Sequence, residues 1–87
     1  MKPIRTIIVD DEPLALSLVE SKLKNYPIIE IVAKCKNGRE AVESITQLSP
    51  DLVLLDIEMP GLNGLEVIKK IQSDLMPLVI FSTAYDQ

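Results

Sequence analysis

The 87-residue sequence contains no histidine and no tryptophan, and it has one cysteine, Cys35. The absence of histidine excludes Ser-His-Asp and Cys-His nucleophile systems and every zinc site with a histidine ligand. A single cysteine excludes an intramolecular disulfide and is typical of a reducing compartment. Any metal bound by these residues should therefore be a hard cation with oxygen ligands, such as Mg²⁺.

Aromatic side chains and long apolar runs are also scarce. Aromatic residues make up 3% of the chain and hydrophobic residues 47%, so it can build one modest, mainly aliphatic core. No apolar run is long enough for a bilayer, and the first is too short for a signal peptide, which predicts a soluble, cytoplasmic protein. A net charge of −4, without a cluster of Lys or Arg, argues against direct binding to nucleic acid or to an anionic membrane.

The apolar residues follow two periodicities that alternate along the chain. Four short apolar runs predict strands at residues 4–9, 28–35, 52–55 and 77–82. Three apolar stripes at helical spacing predict a helix in each interval between them. The order β-α-β-α-β-α-β predicts one α/β domain with a parallel sheet covered by helices.

Acidic or hydroxyl residues directly follow three of the predicted strands. Asp10 and Asp11 follow the first strand, Asp56 the third and Thr83 the fourth. In an open parallel sheet, ligands bind beyond the carboxyl ends of the strands, near the point where the strand order reverses. We therefore expect these four residues to lie together at the edge that the carboxyl ends of the strands form.

Three aspartates at one edge repel one another unless a pKa rises or a cation binds. A site of oxygen ligands suits Mg²⁺, which keeps several waters and can hold a phosphoryl oxygen. Carboxylates serve as covalent phosphate acceptors, and a metal screens the charge of an entering phosphoryl group. The hypothesis is that Asp56 accepts phosphate, Asp10 and Asp11 hold the metal, and Thr83 donates a hydrogen bond to the bound phosphate.

Each of these residues also has a purely structural interpretation. Acids at a helix start commonly act as caps, and Asp56 can simply begin a polar loop. A threonine after a strand is often only a strand-end residue, and Cys35 is most simply a small buried hydrophobe. The functional hypothesis therefore depends on several residues meeting at one edge.

Three segments resemble the receiver domain of bacterial two-component response regulators: IIVDDEP, LVLLDIEMPGLNGLEVIKKI and LVIFSTA. The paired acids and the D-x-x-M-P-x-x-x-G pattern make the resemblance specific, and it covers the whole chain. It implies a flavodoxin-like, doubly wound parallel sheet. It also implies a phosphoacceptor module, not an enzyme, that takes a phosphoryl group from a partner histidine kinase and controls an output domain.

Carried over by position, the resemblance implies that Asp56 is the phosphoacceptor. It implies that Asp10 and Asp11 are the acidic pair that binds Mg²⁺, with Asp11 the more direct ligand. Asp56 also belongs to the implied metal site, and Glu58 joins it through its backbone carbonyl. Thr83 matches the hydroxyl residue that senses the phosphate.

The final residues, STAYDQ, resemble receivers that precede a LytTR-type DNA-binding domain, which implies a transcriptional output. Receivers continue through a fourth helix, a fifth strand that begins near an active-site lysine, and a fifth helix. We therefore expect residues 1–87 to be a receiver fragment of about four strands and three helices. Its fourth strand would then be an exposed edge that favours self-association.

The sequence leaves two other functions open. The absence of the lysine would be compatible with a receiver fragment that takes no phosphate and acts only in interaction or oligomerisation. The segment Asp56-Ile57-Glu58 after an apolar strand also loosely resembles the nucleophile motif of haloacid-dehalogenase-type phosphatases. That class pairs the nucleophile with a second Asp, where this chain has Glu58. A response to Mg²⁺ and turnover of a phosphomonoester would distinguish the three.

Overall fold

The computed structural model describes residues 2–56 and 78–82, with side chains described for residues 2–55. In these ranges the chain forms four strands, β1 (Ile4–Val9), β2 (Ile29–Cys35), β3 (Leu52–Asp56) and β4 (Leu78–Ser82), and two helices, α1 (Pro13–Leu23) and α2 (Gly38–Leu48). All four predicted strands are confirmed to within one residue at each end. The predicted third helix lies outside the described residues.

The four strands form one parallel sheet in the order β2-β1-β3-β4. The chain passes from β1 to β2 on one side and then crosses to β3 on the other, so the strand order reverses between β1 and β3. This order is the doubly wound, flavodoxin-like arrangement that the sequence predicted. Its reversal point is where such sheets bind ligands.

The main core lies between the sheet and α2. Alternate residues of β1 and β3 point to this side, because successive strand side chains face opposite ways. Ala41 and Ile45 of α2 lie one helical turn apart and pack against them. The fully buried cluster consists of Ile7, Val9, Cys35, Ala41, Ile45, Val53 and Leu55.

Helix α1 packs less deeply on the sheet. None of its residues is buried, and Leu14 and Leu18 are 83% and 59% exposed. It begins with Pro13 at its first position, where the missing N–H costs no hydrogen bond. None of the helices in the described part of the chain has the length and apolar character needed to span a membrane.

Arg5 ties β1 to the connection between α2 and β3. Its Nη1 donates to the carbonyls of Leu48 (2.6 Å) and Ser49 (3.1 Å), where α2 ends with Ser49 in a left-handed conformation. Its backbone N–H donates to Asp51 Oδ2 (3.0 Å), and the Asp51 N–H donates back to the Arg5 carbonyl (2.8 Å). These bonds anchor the start of β3 beside β1 at the amino-terminal edge of the sheet.

We expect Arg5→Ala to lower the free energy of unfolding by about 1–2 kcal/mol, because the helix-end carbonyls lose a charged donor. Arg39→Ala removes the same side chain from an exposed position and should change stability by less than about 0.5 kcal/mol. Urea denaturation followed by circular dichroism measures both. Equal losses in the two variants would contradict the role given to Arg5.

Candidate functional site

The register of the sheet brings Asp10 and Asp56 to neighbouring positions. Val9 of β1 pairs with Leu55 of β3, so the next residue of each strand is an aspartate. Adjacent strands lie about 4.8 Å apart. On the other side of β3, Asp56 pairs with Ser82 of β4. The structure therefore brings the backbones of two predicted site residues together at the carboxyl edge, beside the reversal point of the sheet.

Two hydrogen bonds fix Asp10 at this edge. Its backbone N–H donates to the carbonyl of Cys35 in β2 (3.0 Å). Its Oδ1 accepts from the backbone N–H of Glu12 (3.0 Å), which is the geometry of an Asx turn before a helix. The Asx turn, and not helix capping, is thus the structural role of Asp10, because the N-cap of α1 is Glu12 and its side chain makes no capping bond. It is compatible with a metal role, because a carboxylate can accept several bonds.

Asp11 and Glu12 occupy the short bend between β1 and α1, and both side chains are exposed. Asp11 is therefore open to a hydrated ion that arrives from solvent. Glu12 occupies the N-cap position of α1 but makes no capping bond with its side chain. The edge thus carries several carboxylates in sequence, and a cation would relieve their mutual repulsion.

The adjoining turn between β2 and α2 is closed by two side chains. Asn37 Oδ1 accepts from the Glu40 N–H (2.8 Å), and Glu40 Oε1 accepts from the Lys36 N–H (3.0 Å). These bonds satisfy backbone donors at the start of α2, as in other capped helices. The turn therefore holds a defined shape beside Asp10.

Cys35 lies under this turn and is 2% exposed, as predicted for a buried hydrophobe. Its Sγ donates to Ser44 Oγ at 3.4 Å, directed towards α2. Burial raises the pKa of the Cys35 thiol, the hydrogen bond with Ser44 opposes this, and the charge of Glu40 adds to the rise. The thiol is therefore protonated at neutral pH and offers no soft ligand to the edge.

The donors available at the edge suit a hard cation. Asp10 and Asp11 supply carboxylate oxygens, and the nearby sulfur is protonated and turned into the core. Among the side chains of residues 2–55, no three acidic or cysteine groups lie close enough together to form a metal site. Mg²⁺ commonly uses one or two carboxylates and several waters, so the oxygen donors fit it.

Two predicted site residues, Glu58 and Thr83, lie outside the described residues, as does the side chain of Asp56. Their roles in metal and phosphate binding stay predictions. Two cations that no sequence motif singled out, Lys36 and Arg39, follow β2 at the same edge. Their position after the second strand was the one signal that could have identified them.

The family profile described as the response regulator receiver domain matches residues 6–87. An uncharacterized response regulatory protein of Yersinia pestis is 46% identical over 84 residues, which are 97% of this chain and 35% of that protein. The transcriptional regulatory protein BtsR of Salmonella typhi is 40% identical over 84 residues, with the same coverage of 97% and 35%. The chain thus spans about a third of the length of these curated relatives.

Solved structures show the same relationship. The signal receiver domain of the response regulator NarL from Mycobacterium tuberculosis superposes with a TM-score of 0.87 at 31% identity, over 100% of this chain and 71% of that one. A chain in the crystal structure of the P1 domain of CheA3 in complex with CheY6 from R. sphaeroides superposes with a TM-score of 0.83 at 29% identity. That match covers 98% of this chain and 67% of the other.

A parallel sheet with aspartates at the carboxyl edge beside its reversal point, together with these matches, defines the class. The chain belongs to the response regulator receiver domain family. The resemblance noted in the sequence is thereby confirmed. Receiver domains are signalling modules, so the family supports the first of the three functional hypotheses over the phosphatase hypothesis.

Proposed function

We propose that this receiver domain accepts a phosphoryl group on Asp56 from a histidine kinase, in a reaction that requires Mg²⁺. The observation that carries the proposal is the pairing of Val9 with Leu55, which sets Asp10 and Asp56 side by side at the ligand-binding edge. The complex of the CheA3 P1 domain with CheY6 supports a partner of this kind. We also propose that the protein acts in the cytoplasm.

In the proposed step, a carboxylate oxygen of Asp56 attacks phosphorus and forms a P–O bond. The bond from phosphorus to the donor breaks, which is a P–N bond for a phosphohistidine and a P–O bond for an acyl phosphate. The electron pair leaves with the imidazole or carboxylate group, and an imidazole takes up a proton. The product is an aspartyl phosphate, a known covalent intermediate class.

Asp10, Asp11, Asp56 and the Glu58 backbone carbonyl would hold Mg²⁺, which supplies charge screening for the incoming phosphoryl group. Two carboxylates about 4 Å apart repel by about 4 kcal/mol at an effective dielectric constant of about 20. Asp10 is already held by its bonds to Cys35 and Glu12, so it need not be reordered when the ion binds. In the product, the Thr83 hydroxyl would donate to a phosphoryl oxygen.

The signal is proposed to reach an output domain in the longer protein. The curated relatives are about three times as long as the match, and one of them is named as a transcriptional regulatory protein. This supports a transcriptional output for the whole protein, and we propose that a DNA-binding domain outside the receiver provides it. Self-association through β4, which pairs with β3 alone among the described strands, stays a prediction.

We expect the protein to gain the mass of one phosphoryl group when it is incubated with acetyl phosphate and Mg²⁺, and to gain none with a chelator. Asp11→Asn should weaken Mg²⁺ binding by on the order of tenfold, because it removes a negative charge close to the ion. Glu12→Gln removes the neighbouring charge at an equally exposed position and should have a much smaller effect. Intact-mass spectrometry and calorimetric titration measure these results.

A folded protein that gains no phosphoryl group under these conditions would contradict the proposed function. It would favour the alternative that the domain acts only in interaction or oligomerisation. Equal weakening of Mg²⁺ binding by Asp11→Asn and Glu12→Gln would remove Asp11 from the metal site.

A further inference from the structure

Lys36 lies next to Asp10 because the pairing of β1 with β2 shifts by one residue. Ile4 pairs with Ile29, but after the shift Ile7 pairs with Ala33 and Val9 with Cys35. An uninterrupted register would set Cys35 itself beside Asp10. With the shift, the residue beside Asp10 at the edge is Lys36.

The edge therefore carries three charged residues at the carboxyl ends of three adjacent strands, in the order Lys36, Asp10 and Asp56. Two strand spacings separate Lys36 from Asp56, which is roughly 10 Å between their backbones. A lysine side chain can cover more than half of that distance. The ammonium group of Lys36 can thus approach an anion that enters between the strands.

Arg39 adds a second cation one turn along, at the first turn of α2. Both side chains are exposed, and neither forms an ion pair with another residue of the described ranges. The turn that carries them is held by the bonds among Lys36, Asn37 and Glu40. The backbone N–H groups of Lys36 and Glu40 already have partners within the turn. A ligand would therefore be attracted by the side-chain charges of Lys36 and Arg39.

The other cations of the described ranges lie elsewhere. Lys2 and Arg5 are at the amino-terminal edge, Lys34 is paired with Glu20 at 3.1 Å, and Lys22 and Lys24 are at the far end of α1. Within residues 2–56 and 78–82, Lys36 and Arg39 are thus the cations placed at the acidic edge. The net charge of the chain is −4, and these two cations are positioned to attract anions to the edge that carries Asp10 and Asp56.

We propose that Lys36 and Arg39 form a cationic flank that attracts the phosphoryl group of the donor to Asp56 and so sets the rate of capture. This inference rests on the proposed function and adds specificity-determining residues to it. The recognised chemistry is the phosphoryl dianion, whether carried by a small acyl phosphate or by a phosphohistidine of a partner protein. Because the same charges repel Mg²⁺, they should weaken metal binding while they speed phosphoryl capture.

The test compares Lys36→Glu with Lys24→Glu, which makes the same charge change at the opposite edge. At saturating Mg²⁺ and low ionic strength, Lys36→Glu should lower the second-order rate constant for phosphorylation by acetyl phosphate roughly fivefold. Raising the ionic strength from about 20 mM to about 500 mM should remove most of the difference, because the Debye length falls below the separation. Lys24→Glu should match the unaltered protein at both ionic strengths.

Metal binding provides the second readout, with the opposite sign. Lys36→Glu should tighten Mg²⁺ binding by about twofold or more, measured by calorimetry without any phosphodonor. A loss of structure would instead lower both the phosphorylation rate and the Mg²⁺ affinity. Lys36→Gln should give intermediate changes in the same two directions, and Arg39→Glu should act like Lys36→Glu to a smaller extent. A phosphohistidine-bearing kinase domain, used in parallel with acetyl phosphate, shows whether the flank also acts on a protein donor.

The inference would be overturned if Lys36→Glu left both the phosphorylation rate and the Mg²⁺ affinity unchanged, or if it lowered both. This holds provided that the unaltered protein is phosphorylated under the same conditions. An unaltered protein that neither binds Mg²⁺ nor takes phosphate would overturn the proposed function and this inference together.

Discussion

Asp56→Asn is expected to abolish phosphoryl incorporation from acetyl phosphate and Mg²⁺. Asparagine has almost the same shape as aspartate, but its neutral amide is not a nucleophile for phosphorus and contributes no charge to a metal site. Because Asp56 ends β3 and pairs with Ser82, the backbone at this position should persist in the variant. The expected result is therefore a folded protein without the added phosphoryl mass.

Asp51→Asn is the matched control for this experiment. Asp51 precedes the same strand at the opposite edge, and its Oδ2 accepts a hydrogen bond from the Arg5 N–H at 3.0 Å. The asparagine oxygen can accept the same bond, so the control makes an identical chemical change far from the proposed acceptor. It should be phosphorylated like the unaltered protein. If Asp56→Asn still gains a phosphoryl group, peptide mass mapping would locate it. A phosphoryl group on another carboxylate would show that this other residue is the acceptor.

Leu55→Ala is expected to lower the free energy of unfolding by about 3–4 kcal/mol, the largest stability effect among these variants. Leu55 is 0% exposed and belongs to the core cluster between β1, β3 and α2. Alanine would leave a cavity in that cluster, which the parallel strands on both sides of β3 can close only in part. A domain of this size commonly has a total stability of about 5–15 kcal/mol, so much of it would be lost.

Leu14→Ala makes the same substitution at a side chain that is 83% exposed. It should change stability by less than about 0.5 kcal/mol, and alanine's helix propensity works against any loss. Chemical denaturation of both variants measures the contrast. Equal destabilisation would mean that Leu14 on α1 contributes as much packing as Leu55, which would contradict a main core on the α2 side of the sheet.

The fold could be predicted from the sequence because its elements are encoded locally. The β-branched run at Ile4–Val9 and the stripe that contains Ala41 and Ile45 each show the periodicity of the element they form. The strict alternation of these elements then predicts a parallel sheet. The placement of Asp10 and Asp56 after buried strands likewise predicted that they would share an edge, and the pairing of Val9 with Leu55 bears this out for their backbones.

The interactions of Arg5 and Asp10 were not encoded in this way. Arg5 binds carbonyls more than forty residues away, and no local pattern signals such a partner. The Asp10 carboxylate accepts a hydrogen bond from the Glu12 N–H before the helix, whereas its position in the sequence gave capping and metal binding as alternatives. Such contacts depend on how separate elements meet, and periodicity does not report that.

By itself, the sequence determined the order of strands and helices, the acids at the strand ends and the receiver family. The tertiary structure alone decided which neighbour Asp10 has on β2. A shift of one residue in the pairing of β1 with β2 turns Cys35 into the core and brings Lys36 to the acidic edge. Strand side chains alternate between the two faces of the sheet. A shift of one residue therefore changes the neighbour of Asp10 from Cys35 to Lys36, and only the assembled sheet sets that register.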